Sequence, residues 1–124
     1  MSSRWRRLEA AITDAIEGNR LGRPVSVRWI FHTDAGQHEL DACLDEMAAV
    51  TGRWFGGTPS SDQRHNGRGA VVSLLRWEDG RSAVLTVSAG EPGSNRNAGG
   101  TLHVIGSRGT AFHEFHDWPA VEAE

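Results

Sequence analysis

At 124 residues the chain is long enough for one domain with a hydrophobic core and too short to add a separate nucleotide-binding domain. Thirteen arginines, no lysine and sixteen acids give a formal charge of -3 with both signs scattered along the sequence, which offers no basic face for nucleic acid or anionic lipid. No stretch approaches the roughly 18 apolar residues of a membrane span, and the single Cys43 has no partner for an intrachain disulfide. These features read as a soluble, cytoplasmic protein with a buried thiol.

From Arg4 to Glu17, Trp5, Leu8, Ile12 and Ile16 recur at helical spacing, and Gly18-Asn19 supplies a stop. Val25 to His32 alternates Val25, Val27, Trp29 and Phe31 with Ser26, Arg28 and His32, the pattern of a half-buried strand. A second amphipathic helix is expected from Gly36 to Thr51, with Leu40, Cys43, Leu44, Met47 and Val50 on one face and Gly52 at its end. Arg53 to Phe55 reads as a short strand, and Gly56 to Gly69, rich in Gly, Ser, Asn and charge, as a loop. Ala70 to Trp77 and Ser82 to Ser88 are β-rich runs joined by Glu78-Asp79-Gly80-Arg81, and Asp-Gly between such runs signals a hairpin. After the polar stretch Gly90 to Gly100, Leu102 to Ile105 and Thr110 to His116 form a second hairpin across Gly106-Ser107-Arg108-Gly109. This order predicts an α+β fold: an open, mostly antiparallel sheet of about five strands with two helices on one face. Residues 1–118 form the domain and 119–124 a flexible tail. Val71, Ser73, Leu75 and Trp77 point to one side of the sheet and Val72, Leu74 and Arg76 to the other, so both faces carry apolar side chains and only one can be covered by the helices.

The chemistry-bearing run is Asp34-Ala35-Gly36-Gln37-His38-Glu39-Leu40-Asp41, where a strand gives way to a helix. A carboxylate and an imidazole four residues apart at that junction can face one pocket, with His38 as general acid/base and Asp34 orienting it. Asp34 with Gln37 three residues later is equally the arrangement of a helix cap. His32, Asp34 and His38 also lie within one short segment, with His113 and His116 near the C-terminus. Residues three apart on a strand face opposite ways, so that pair does not converge and no metal is expected. Trp54, beside Phe55 at the edge of the expected loop, is the best candidate for stacking on a sugar ring. His32, Asp41 and Trp54 are the expected substrate contacts. Gly67-x-Gly69 precedes a strand and opens no helix, the wrong context for a dinucleotide fingerprint.

Asp34-x-Gly36-x-His38-x-Leu40-Asp41 resembles the Asp-x-Gly-x-His-x-Leu-Asp signature of the glucose-fructose oxidoreductase, inositol dehydrogenase and MocA family, in its C-terminal, substrate-binding domain. Gly22-Arg23-Pro24-Val25, Val50-Thr51-Gly52, Trp77-Glu78-Asp79-Gly80 and Val104-Ile105-Gly106-Ser107-Arg108-Gly109-Thr110 are similar, in order, to further motifs of that domain. The resemblance implies a mostly antiparallel sheet whose free face packs on another subunit, with acid/base work on His38 and substrate holding on Asp34. It implies NAD(P)-dependent chemistry on sugars and polyols only where a Rossmann domain supplies the cofactor and the family's catalytic lysine. A chain without lysine cannot supply that residue. The expected function is therefore that of an isolated substrate-side domain, with no cofactor of its own. It would bind a small hydroxylated ligand and form a homodimer or higher assembly through its sheet, or pair with a full-length relative, without transferring hydride by itself. The alternative is a small cofactor-independent lyase, isomerase or cyclase built on His38 and Asp34.

Overall fold

The computed structural model describes residues 5–33, 39–89 and 99–116, the side chains of Phe115 and His116 excepted. The elements run α1 (Arg6–Glu17), β1 (Pro24–Thr33), α2 (Leu40–Phe55), β2 (Ser61–Gly67), β3 (Ala70–Arg76), β4 (Ser82–Ala89), β5 (Gly99–Gly106) and β6 (Thr110–His116). They build a six-stranded open sheet in the order β2-β3-β4-β1-β5-β6. The fold is α+β and mostly antiparallel, with one strand more than expected. The parallel exception is β1 against β4, in which Arg28 pairs with Val84 and His32 with Ser88.

Both helices lie on one face. Leu8, Ile12 and Ala15 of α1 and Leu40, Cys43, Leu44, Met47, Val50 and Trp54 of α2 are buried against Val27, Trp29 and Phe31 of β1, Leu85 and Val87 of β4, and Leu102 and Val104 of β5. At the centre Trp5 meets Trp29 edge-on with ring centroids 5.0 Å apart, and Phe31 at 4.8 Å. Arg53 of α2 donates from Nε to Glu9 Oε2 of α1 at 2.7 Å, tying the helices together on their outer side.

Two expectations are corrected between residues 51 and 69. The helix passes Gly52 and ends at Gly56, which takes the left-handed conformation (φ 75°) with its N–H on the Gly52 carbonyl, so Arg53 to Phe55 are its last turn and no strand. A mid-helix glycine costs only about 1 kcal/mol, and burying Trp54 and Phe55 in the following turn outweighs that. The expected loop contains β2, a wholly polar strand. Its stability comes from its neighbours: a full antiparallel ladder to β3, a 2.7 Å bond from Ser73 Oγ to Asp62 Oδ1, and the bridges of Arg64 to α2.

The β3–β4 hairpin closes over Gly80 (φ 94°), where glycine is favoured. Asp79 accepts from Arg81 Nε at 3.0 Å and also binds Arg23 across the molecule. Its hydrogen bond with Arg81 holds its carboxyl below the usual value of 3.8. A depressed carboxylate stabilises the fold above its unfolded-state value, and that contribution disappears as pH falls through the lower folded-state value. The stability gap between wild type and Asp79→Asn is therefore expected to shrink as urea melts are taken from about pH 5 down to about pH 2. A gap constant with pH would refute this.

On the far face Ser26, Arg28, Ile30 and His32 of β1, Val72 and Leu74 of β3, Val84 and Thr86 of β4, Thr101, His103 and Ile105 of β5, and Phe112 of β6 point away from the helices. Among the described residues nothing covers this face. Phe112 is 63% exposed and Ile105 40%, and Phe112 leans edge-on against the His103 ring.

Candidate functional site

Asp34 and His38, with the rest of 34–38, lie outside the described residues. The chain enters that segment from the C-terminal end of β1 and leaves it into α2, which begins with Glu39 as its N-cap. The two ends of the signature run are therefore placed: His32 and Thr33 on one side, Glu39, Leu40 and Asp41 on the other.

His32 is exposed on the open face, between the buried Phe31 and Thr33. Its Nδ1 lies 2.5 Å from Ser88 Oγ, on the strand parallel to it. The bond fixes the imidazole plane and leaves Nε2 for a second partner. Ser88 is a residue that sequence reasoning missed. Nothing local marks it, because it joins His32 only through the parallel pairing of strands 56 residues apart in sequence.

Asp41 lies on the other side of the sheet. Its Oδ1 accepts from Arg64 Nη1 at 3.3 Å, while Asp45 accepts from Arg64 Nη2 at 2.9 Å. An acid in the first turn of a helix also sits favourably against the helix dipole. These contacts give Asp41 a structural task, joining α2 to β2.

Trp54 is displaced from the expected role. It is 7% exposed and stacks on Trp29 with ring centroids 5.7 Å apart, so its faces belong to the core and are closed to a sugar. His65, expected in a loop, stands on β2. The structure thus brings His32 together with Ser88, and separates both from Asp41 and Trp54.

Among the described residues no group of three or more His, Cys, Asp or Glu could hold a metal ion, and no helix is long and apolar enough to cross a membrane. A dinucleotide needs a glycine-rich turn from a strand into a helix. Gly67 to Gly69 instead joins the antiparallel strands β2 and β3, and Gly106 to Gly109 joins β5 and β6. Neither turn opens a helix.

No protein-family model matches the sequence, and no curated protein matches it. The fold does have solved counterparts. The chain is similar to the WlbA dehydrogenase from Bordetella pertussis, solved with NADH and UDP-GlcNAcA, at a TM-score of 0.65 and 18% identity, covering 90% of this chain and 41% of that one. It is similar to myo-inositol 2-dehydrogenase from Lactobacillus plantarum at 0.64 and 14%, covering 89% and 40%. An oxidoreductase from Pseudomonas syringae matches at 0.64 and 18%, covering 90% and 34%. The chain thus spans about two fifths or less of the length of these enzymes, and shares with that portion of them a fold in which nearly all of it takes part.

Proposed function

We propose that this chain is a substrate-side domain of the glucose-fructose oxidoreductase, inositol dehydrogenase and MocA type. In this reading it binds a small hydroxylated ligand beside the C-terminal end of β1 and assembles through its open sheet face. The observation that carries the reading is the coincidence of an ordered signature, Asp34 to Asp41, with a fold shared over about 90% of the chain with sugar and inositol dehydrogenases. Hydride transfer then requires NAD(P) held by another polypeptide segment or a partner, such as a full-length relative. His38 is the acid/base group, Asp34 helps hold the substrate, and the His32–Ser88 pair offers a fixed imidazole at the rim.

The open face supports the assembly. Six strands about 4.8 Å apart, each presenting about four outward residues, give a face of roughly 600 Å². That approaches the ~800 Å² per partner of a stable interface, and Phe112 and Ile105 stand exposed on it. The buried Cys43 fits a reducing compartment such as the cytoplasm.

Calorimetry with myo-inositol and with UDP-sugars as probes tests the ligand reading. Binding without turnover is expected when NAD(P) is added, and His38→Ala should weaken binding by about tenfold with the fold intact. Oxidation of a polyol by the purified chain with NAD(P) alone would overturn the reading. Cofactor-free turnover that falls by about 10² or more in His38→Ala would favour the small lyase, isomerase or cyclase instead.

A further inference from the structure

Of the four histidine side chains that the structure describes, three stand on the open face. His65 of β2 is the cross-strand partner of Val72, His32 follows Ile30 by two residues on β1, and His103 precedes Ile105 by two on β5, so all three point away from the helices. The fourth, His113, lines a cavity on the helix side. The strand register sets the neighbours of each imidazole. His103 pairs with Arg28 on β1 and with Phe112 on β6, whose ring it meets edge-on, and Glu114 of β6 lies diagonal to it. His65 faces Val72 on β3. His32 faces Ser88 on β4, which bonds its Nδ1, and Gly99 on β5.

Among the described residues, the fixed charges on the strands of this face are Arg28, Arg76 at the end of β3 and Glu114. With neutral imidazoles the face carries two cations against one acid, and with the three imidazoles protonated it carries five cations against one. Carboxylates and guanidiniums keep their charge between about pH 5 and 8, the range in which an imidazole exchanges its proton. The sheet face therefore changes from largely apolar and hydroxyl-bearing to cationic across that range. A second copy laid on it brings the same charges, which repel one another and lose their water. A protonated His103 sets a new cation directly beside Arg28 in one cross-strand row.

We propose that assembly through the sheet face is a pH switch, formed when His32, His65 and His103 are neutral and released when they take up protons. The switch acts on the face assembly proposed above and requires it. The assembled state binds fewer protons than the separated chains, so association is at full strength above the imidazole range and weakens as pH falls through it. An imidazole that titrates near about 6.5 and is kept neutral in the assembly contributes about tenfold to the dissociation constant between pH 7.5 and 5.5. A dimer holds each position twice, so one histidine position gives about 10² and three give more.

Sedimentation velocity on the full chain at pH 7.5 and 5.5, with circular dichroism at both, tests the switch. The expected result is an assembly at pH 7.5 whose dissociation constant rises by about 10² or more at pH 5.5 with the fold unchanged. The triple variant His32→Gln/His65→Gln/His103→Gln should assemble at both pH values, its dissociation constant changing by less than about threefold. His103→Arg, charged at both, should already be weakened by about tenfold or more at pH 7.5. Equal association of the parent at the two pH values would overturn the switch and leave the face assembly standing. So would a triple variant that still dissociates at pH 5.5, a His103→Arg chain that assembles like the parent, or dissociation that accompanies unfolding. A parent that is monomeric at both pH values would overturn the face assembly and the switch with it.

Discussion

Replacing Gly106 with alanine is expected to destabilise the fold by roughly 2–3 kcal/mol, the cost of forcing a group into a well-packed site. A Cβ at this position would lie 2.2 Å from the Leu21 carbonyl oxygen, 2.9 Å from its carbon and 3.2 Å from the Leu21 Cβ. Two of those three atoms are backbone, so no rotamer change relieves the contact. The neighbourhood is fixed from several directions. Arg108 N–H donates to the Leu21 carbonyl at 2.8 Å, Ser107 N–H to Arg23 at 2.9 Å, and Gly106 N–H to Gly109 at 2.8 Å. Leu21 itself is 2% exposed and anchors the α1–β1 connection in the core. Alanine would therefore push the β5–β6 turn away from that connection and loosen both hairpin and helix. For a domain of this size such a loss lowers the melting midpoint by about 10 °C, which calorimetry or circular dichroism reads directly. A variant melting within about 2 °C of wild type would show that the turn can shift freely.

Ile30→Glu is expected to abolish association through the sheet face, weakening it by about 10² or more. Ile30 sits on the central strand, flanked on that face by Thr86 of β4 and Thr101 of β5. A carboxylate there would be buried by a second copy with two hydroxyls beside it, and Arg28, two residues along the same face, would have to be desolvated with it. Stripping its water costs several kcal/mol. In the isolated chain the side chain is only half-buried, so the fold survives. Light scattering should give a multimer for wild type, a smaller species for Ile30→Glu, and wild-type behaviour for Ile30→Val. A wild-type chain that is monomeric at high micromolar concentration would sink the face assembly.

Much of the fold was legible because its elements bury one face. The 3.6-residue spacing of Leu8 and Ile12, the alternation of Val27, Trp29 and Phe31, and Asp79-Gly80 between two β-rich runs each satisfy a local rule, and each element formed as read. The division of β3 into Val71, Ser73 and Leu75 inward and Val72 and Leu74 outward follows from the same alternation. Elements without such a signal were missed or misplaced. β2 buries no apolar side chain, so no periodicity announces it, and the choice of Gly56 over Gly52 as helix stop rests on what Trp54 and Phe55 find to pack against. The candidate site divides in the same way. The Asp34 to Asp41 run stands out as a sequence motif, and its flanks fall at the end of β1 and the start of α2 as expected, although Asp34 and His38 lie outside the described residues. Trp54 looked accessible because it borders a polar stretch, and its stacking partner Trp29 is 25 residues away in the numbering.

The sequence alone determined the types of α1, α2, β1, β3, β4, β5 and β6, the two-sided apolar character of the sheet, and the signature run with its similarity to a dehydrogenase family. These depend on side-chain chemistry at short range, where spacing and turn residues decide. Only the tertiary structure decided that β1 runs parallel to β4 and so joins His32 to Ser88. It also decided that Asp41 is held by Arg64 on the opposite side of the sheet, and that β6 stands last in the sheet order beside a cavity under α1. Those outcomes depend on which distant segments pair, and strand order is chosen by burial of the whole sheet, which no local window of residues encodes.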